Sequence, residues 1–133
     1  MKTYKFLFFS FLFICCQGAW YEKHLTGDYY MIAIDGEEDM GISKNSIGII
    51  GSTVFAVGYN EDFIIVKQHP GSLFSPVNKA ITYYYIIVLD KKKIGDSLDG
   101  RIGPLTLEQF NLKRKELNIP EDLSFTIIRK KNE

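Results

Sequence analysis

The sequence has little of several features that would each indicate a particular class of protein. Only two of its 133 residues are cysteines, and both lie together at positions 15 and 16, so the remainder of the chain cannot form a disulfide framework. Basic and acidic residues number 16 each, and this zero net charge argues against a nucleic-acid-binding protein. No apolar run reaches the roughly 20 residues that a membrane-spanning helix needs. These properties are those of a globular chain with one domain and one core.

Motifs of enzyme chemistry are also absent from the sequence. It contains neither a Gly-x-Ser-x-Gly motif nor a glycine-rich phosphate loop, and its two histidines do not have a metal-binding spacing. Residues 35–39 resemble the start of a calcium loop, but the glycine comes one place late and the twelfth position is Ser46, which favours a solvated turn. We therefore predict no catalytic residue, no metal site and no cofactor, and we favour a protein that is not an enzyme. A hydrolase whose carboxylates only the fold brings together stays open.

The N-terminal residues have the pattern of an export signal. Lys2 and Lys5 form a positively charged start, and residues 6–14 are almost entirely apolar. Where this apolar stretch stops, Cys15 and Cys16 stand side by side, which resembles the lipobox of bacterial lipoproteins, in which a small residue precedes a lipidated cysteine. Cys16 is the expected lipidation site, because Cys15 can serve as the small residue before the cut.

These features predict the location of the protein and its domain boundaries. We expect residues 1–15 to be a lipoprotein signal peptide, residues 16–26 a tether and residues 27–133 a single globular domain. An N-terminal lipid would attach the domain to the bacterial cell envelope, on the periplasmic side of a membrane or at the cell surface. One alternative is an ordinary secreted protein that is cut near residues 18–19 and keeps neither cysteine. The other is an N-terminal anchor that is not cleaved.

The remainder of the chain is rich in strand signals. Residues 60–62 form a turn between two of the apolar segments, which predicts a β-hairpin. Residues 80–89 are apolar on both faces and rich in β-branched and aromatic side chains, so we expect this strand in the middle of a sheet. The predicted strands cover residues 29–34, 47–50, 53–59, 63–68, 80–89 and 123–128.

A helix is predicted between the last two of these strands. A capping box at residues 106–109 indicates where it begins, and we expect it to cover about residues 106–119. Leu107, Phe110 and Leu117 share one face of this helix, which predicts packing against a sheet. The expected fold class is therefore α+β: a mostly antiparallel β-sheet of about five strands with one amphipathic helix packed on one face.

Six segments of the chain resemble a family of small bacterial lipoproteins that carry a single domain of unknown function. The resemblance covers nearly all of the region after the signal. It implies a location behind a lipoprotein signal and a single-domain architecture, and it implies no activity and no catalytic residues. The segments that carry it are residues 27–30, 53–59, 64–70, 83–87, 103–106 and 114–117.

Aromatic side chains are enriched in the sequence, and they are the side chains best suited to contact a ligand. We take Lys67, His69, Tyr83 and Tyr85 as candidate ligand contacts, since two lie at the end of one strand and two on the strand richest in tyrosine. The expected partners are the membrane, through the N-terminal lipid, and an envelope protein or a glycan. A stoichiometric inhibitor or immunity-type protein is a further alternative.

Overall fold

The computed structural model describes residues 21–71, 75–89 and 100–133. The predicted signal peptide, the lipidation site Cys16 and the first part of the predicted tether lie outside these residues. The described residues form nine strands, one short 3-10 turn and one α-helix. In chain order these are β1 Tyr21–His24, β2 Tyr29–Ala33, the 3-10 turn Glu37–Asp39, β3 Gly41–Lys44, β4 Ile47–Ile50, β5 Val54–Tyr59, β6 Phe63–Gln68, β7 Tyr83–Val88, β8 Arg101–Leu105, α1 Leu107–Glu116 and β9 Ile127–Ile128.

The strands form two antiparallel sheets. Sheet A has the order β1-β2-β3-β4, and sheet B has the order β8-β7-β6-β5-β9. In sheet A, β3 and β4 are joined by Asn45 and Ser46, which both have positive φ (49° and 65°), as the two-residue turns of tight hairpins require. In sheet B, the predicted hairpin of β5 and β6 is confirmed, and β7 lies between β6 and β8 as expected for a mid-sheet strand.

Sheet B is buried on both faces, which explains why its central strands are apolar on both faces. One face packs against sheet A, and this core contains Tyr29, Met31 and Ile42 from sheet A. The other face packs against α1, and Phe110 and the residues that follow the helix cover it. The domain therefore has three layers, in the order sheet A, sheet B and helix.

An arginine connects the two sheets at each side of the sandwich. The Arg129 guanidinium, just after β9, lies 4.1 Å from the centroid of the Tyr21 ring in β1. On the other side, Arg101 of β8 donates a hydrogen bond from Nη1 to the backbone oxygen of Ile49 in β4. Both edges of sheet B are thus attached to the matching edges of sheet A.

The helix begins as predicted. Thr106 Oγ1 accepts a hydrogen bond from Gln109 N (3.2 Å), and Thr106 N donates to Gln109 Oε1 (2.9 Å), so the capping box is confirmed. The helix ends earlier than predicted, at Glu116, because Asn118 takes a left-handed conformation with φ 53°. Ile119 N then donates to Arg114 O, and Asn118 N to Lys115 O, which is the hydrogen-bond pattern of a Schellman motif.

The face of the helix differs from the prediction. Phe110 is buried and Leu117 is half-buried, but Leu107 is 54% exposed and does not belong to the buried face. The reason lies in where the helix begins. Only Thr106 separates it from β8, the edge strand of sheet B, so its first residue, Leu107, lies at the border of the layer that the helix covers.

The α+β class, with a mostly antiparallel sheet architecture and a single helix among the described residues, is confirmed. In the part of the chain that the structure describes, the strands are nine in two sheets rather than about five in one. The last predicted strand, 123–128, is shortened to β9. Residues 21–24, inside the segment predicted to be a tether, form β1 and pair with β2. Across the described part of the chain, helices of sufficient length and hydropathy to cross a membrane are absent.

Candidate functional site

A cleft of about 990 Å³ lies at one end of the sandwich. The strand register places several chain segments at this end, because Tyr21 pairs with Ala33 in sheet A, and Val54 pairs with Gln68 in sheet B. Val54 N donates to Met40 O (2.8 Å), which joins the corresponding ends of the two sheets. We call this the cleft end; the turns at residues 45–46 and 60–62 lie at the opposite end. The cleft is lined by residues 35–39, 52–53, 71, 75–77, 79 and 131–132.

The lining of the cleft brings together charges of both signs. Residues 35–39 contribute four carboxylates, and Lys79 and Lys131 contribute two amines. Lys79 Nζ donates to the backbone oxygen of Lys131 (2.8 Å), and Asp39 Oδ2 accepts from Ile34 N (3.3 Å). A space of this size with ionic groups of both signs suits a polar occupant that carries hydrogen-bonding or cationic groups.

Two buried polar side chains hold the acidic loop in place. Thr53 Oγ1 donates to Glu38 O (2.5 Å), and Asn132 Nδ2 donates to Glu37 O (2.6 Å). Both side chains are almost completely buried, at 1% and 2% exposure. The backbone groups of Thr53 and His69 also exchange two hydrogen bonds of 2.9 Å each. The acidic side of the cleft is therefore attached both to sheet B and to the C-terminal tail.

A second polar network, beneath the cleft, fixes the segment before β5. Gln68 Nε2 donates to the backbone oxygens of Gly51 (2.8 Å) and Ser52 (3.3 Å). Tyr85 OH donates to Gln68 Oε1 (3.0 Å), which uses the acceptor side of the same amide. Gln68 and Tyr85 are 7% and 8% exposed, so these hydrogen bonds satisfy side-chain groups that are largely removed from water.

His69 is a buried part of the same region. Its Nδ1 must donate to Ile81 O (2.8 Å), because a carbonyl oxygen only accepts, and its ring stacks on Phe55 at a centroid distance of 4.1 Å. Its Nε2 is buried and has no hydrogen-bond partner among the described residues. His69 is 4% exposed. Its contacts are therefore internal, and its hydrogen bond to Ile81 O holds the segment before β7 in place.

The structure places the four candidate ligand contacts on different faces of sheet B. Tyr83 and Tyr85 pack on the face toward sheet A. Lys67 lies on the helix side, where its Nζ is 4.6 Å from the centroid of the Phe125 ring. His69 follows the end of β6, and none of the four is among the described residues that line the cleft. The cleft also uses residues that the sequence does not predict as site residues, among them Thr53, Gln68, Lys79, Lys131 and Asn132.

The acidic loop, for which the sequence favoured a solvated turn over a calcium loop, forms the 3-10 turn and one wall of the cleft. Within residues 21–71, 75–89 and 100–133, no group of three or more His, Cys, Asp or Glu side chains is arranged to hold a metal ion.

Tyr85 gives the network a testable dependence on pH. Burial raises the pKa of its hydroxyl above the usual value; the Arg101 charge acts against this rise and Tyr83 adds to it. A phenol that holds its proton more tightly in the folded state stabilises the fold below the unfolded pKa of about 10 and loses that contribution as pH rises beyond it. We expect Tyr85→Phe to cost about 1 kcal/mol in the free energy of unfolding at neutral pH, because Gln68 Oε1 loses its donor.

The measurement is urea unfolding of wild type and Tyr85→Phe at neutral pH and above pH 10. The difference in the free energy of unfolding should shrink as pH rises. Tyr30→Phe, on a half-buried ring in sheet A, is the control and should keep the alkaline loss of the wild type. A Tyr85→Phe variant that loses stability with pH as steeply as wild type would contradict this assignment.

One comparison with known proteins identifies the family. The model of a family described as a protein of unknown function, DUF3997, matches residues 26–129, which is more than half of the chain. The chain belongs to the DUF3997 family. No curated protein and no solved structure matches it. The DUF3997 match includes β2 to β9 and most of the cleft lining, whereas β1, Lys131 and Asn132 lie outside the matched residues.

Proposed function

We propose that this DUF3997 protein is a lipid-anchored protein of the bacterial cell envelope, attached through Cys16, and that its domain is a non-enzymatic module that binds another protein in the cleft. The anchor is supported by the charged start, the apolar stretch and the paired cysteines at residues 15–16. The binding role rests on one observation: a cleft of about 990 Å³ is lined by carboxylates and amines together.

The chemistry of the lining favours a protein segment as the occupant. Carboxylates at residues 35–39 suit lysine or arginine side chains, while Lys79 and Lys131 suit carboxylates or backbone oxygens. A glycan is the alternative partner, and its recognition would draw on exposed aromatic faces. Every described tyrosine is instead buried or half-buried, and no aromatic residue is among the described cleft lining.

The anchor is tested by intact mass and N-terminal peptide analysis of the full chain purified from membranes of a bacterial host. We expect an N-terminus at Cys16 that carries a diacylglyceryl group. An unmodified N-terminus near Ala19 would instead indicate a soluble secreted protein, and the proposed anchor would be wrong.

The cleft is tested by a photo-crosslinking amino acid placed at Ser75, which is exposed and lines the cleft, in cells that produce the full chain. The matched control carries the same group at Asn111, which is exposed on the helix. We expect one protein adduct from Ser75 and none from Asn111. The adduct should fall about tenfold in Lys79→Glu, because like charges replace an attractive pair, and should persist in Lys115→Glu on the helix.

Two outcomes would replace this proposal. Adducts of equal yield from Ser75 and Asn111 would show that the cleft is not the binding surface. Turnover of an envelope substrate by the purified protein, lost in Glu38→Gln, would favour the hydrolase whose carboxylates only the fold brings together. A tight complex of one copy with one partner would keep the cleft and assign the protein to the inhibitor or immunity type.

A further inference from the structure

The chain enters the domain at the same end as the cleft. Tyr21 begins β1 opposite Ala33, and the loop that follows Ala33 forms the acidic wall of the cleft. The C-terminal tail returns to this end as well, where Arg129 contacts the Tyr21 ring. Whatever holds the chain before residue 21 therefore holds the domain by its cleft end.

The connection from Cys16 to this end is short. Because residues 21–24 form a strand, only residues 17–20 separate Cys16 from the folded domain. Five peptide steps span at most about 17 Å even when fully extended. The strands of sheet B are six residues long at most, so the sandwich is about 20 Å from end to end. A tether of this length cannot run past the domain to bring the opposite end to the surface that carries the anchor.

The cleft end also exposes apolar side chains. Ile34, next to the point where the chain enters, is 63% exposed, and Ile81 is 41% exposed. Lys79, Lys130 and Lys131 lie at the same end, and the carboxylates of residues 35–39 offset their charge. Contact with a lipid surface here would therefore come from the anchor and the isoleucines rather than from attraction to anionic lipid.

We infer that the cleft end faces the lipid surface, with Ile34 and Ile81 at the headgroup boundary, so that the cleft receives a partner at the membrane surface. The inference depends on the proposed anchor at Cys16. It adds the orientation of the domain and restricts the occupant of the cleft to proteins whose cationic or polar segment lies next to the membrane. A partner that approaches from the opposite side meets the turns at residues 45–46 and 60–62 instead.

The orientation can be measured with single fluorescent probes on the lipidated full chain. In the lipidated protein, Cys15 is removed with the signal peptide and the sulfur of Cys16 carries the lipid. The sequence has no other cysteine, so a single introduced cysteine is labelled uniquely. Ile34→Cys marks the cleft end, and the control Glu61→Cys marks the turn at the opposite end. Both positions are exposed, so the fold should tolerate each change, which the urea midpoint verifies. The proteins are reconstituted in phosphatidylcholine vesicles that contain lipids with a nitroxide in the headgroup.

We expect the nitroxide lipids to quench the probe at position 34 several-fold more strongly than the probe at position 61. Equal quenching, or stronger quenching at position 61, in protein whose mass shows the lipid on Cys16 would overturn the orientation and leave the proposed anchor intact. A mass without lipid on Cys16 would overturn both, and the two failures are thereby distinguished.

Discussion

Replacing Phe110 with alanine is expected to lower the free energy of unfolding by about 3–5 kcal/mol. Phe110 is the one buried residue within the helix, and it packs against Phe63, Ile65 and Ile86 of sheet B. Its ring also lies 5.0 Å from that of Tyr84 and 6.1 Å from that of Phe125. Removal of the ring leaves a cavity between helix and sheet that the other side chains of the helix cannot fill.

The matched control is Leu112→Ala in the same helix. Leu112 is 61% exposed, so its truncation should change the free energy of unfolding by less than about 0.5 kcal/mol. Urea unfolding followed by circular dichroism measures both variants. Similar losses for the two would mean that the helix does not pack on sheet B through Phe110.

Replacing Gly58 with alanine is expected to destabilise the domain by about 3 kcal/mol. A Cβ at this position would lie 2.0 Å from the backbone oxygen of Ser124 and 3.1 Å from Cγ1 of Ile65. The segment around Ser124 cannot simply move away, because Thr126 N donates to Val57 O (3.0 Å) beside it. The added methyl group would therefore separate β5 from the segment that leads into β9.

Gly48→Ala is the control for this substitution. A Cβ on Gly48 meets no atom within 4 Å, and its φ is not in the left-handed region. Alanine there should leave stability unchanged or raise it by about 0.4–1 kcal/mol, because it restricts the unfolded chain. Thermal and urea unfolding of both variants tests the difference. A Gly58→Ala protein as stable as Gly48→Ala would contradict the close approach of the two segments.

The central strands and the start of the helix could be predicted because their signals are local. Residues 63–68 match β6 without change, and the capping box is read from four neighbouring residues. The prediction that Leu107 packs against the sheet was wrong. Helical periodicity shows which way a side chain points, but it does not show how far sheet B extends beneath the helix. That extent depends on β8 being an edge strand, which is a property of the whole sheet.

The strands that were missed are those whose sequence carries little apolar pattern. Three of the four residues of β1 are exposed, so its place in sheet A comes from backbone pairing rather than from a buried face. In β8, Gly103 and Pro104 argue against a strand, yet proline is tolerated at an edge, where its missing N–H has no partner to lose. In β3, the pairing with β4 shifts register between Ile42 and Ser43. A short strand with such a shift leaves little regular alternation of apolar and polar residues in the sequence.

The cleft could not be predicted because it is assembled from distant segments. Asn132 contacts Glu37 across 95 positions of the chain, and Lys79 contacts Lys131 across 52. No local sequence pattern distinguishes Lys79, Lys131 or Asn132 from an ordinary polar residue in contact with solvent. The candidate contacts rest on side-chain type and on position along single strands, which do not show which face of a strand the fold buries; His69 and Tyr85 lie in the interior.

The pairing of β1 has a mechanical consequence for a domain that is held by its N-terminus. Tyr21 to His24 pair in antiparallel fashion with Ala33 to Tyr30, and the hydrogen bonds of such a ladder run perpendicular to the strands. A pull on the chain at Tyr21, along the strand and away from the sandwich, therefore loads these bonds together in shear instead of opening them one after another. The Arg129 contact on the Tyr21 ring lies at the loaded end. If the chain is held through the proposed anchor, force reaches the domain where the four residue pairs of this ladder must yield together.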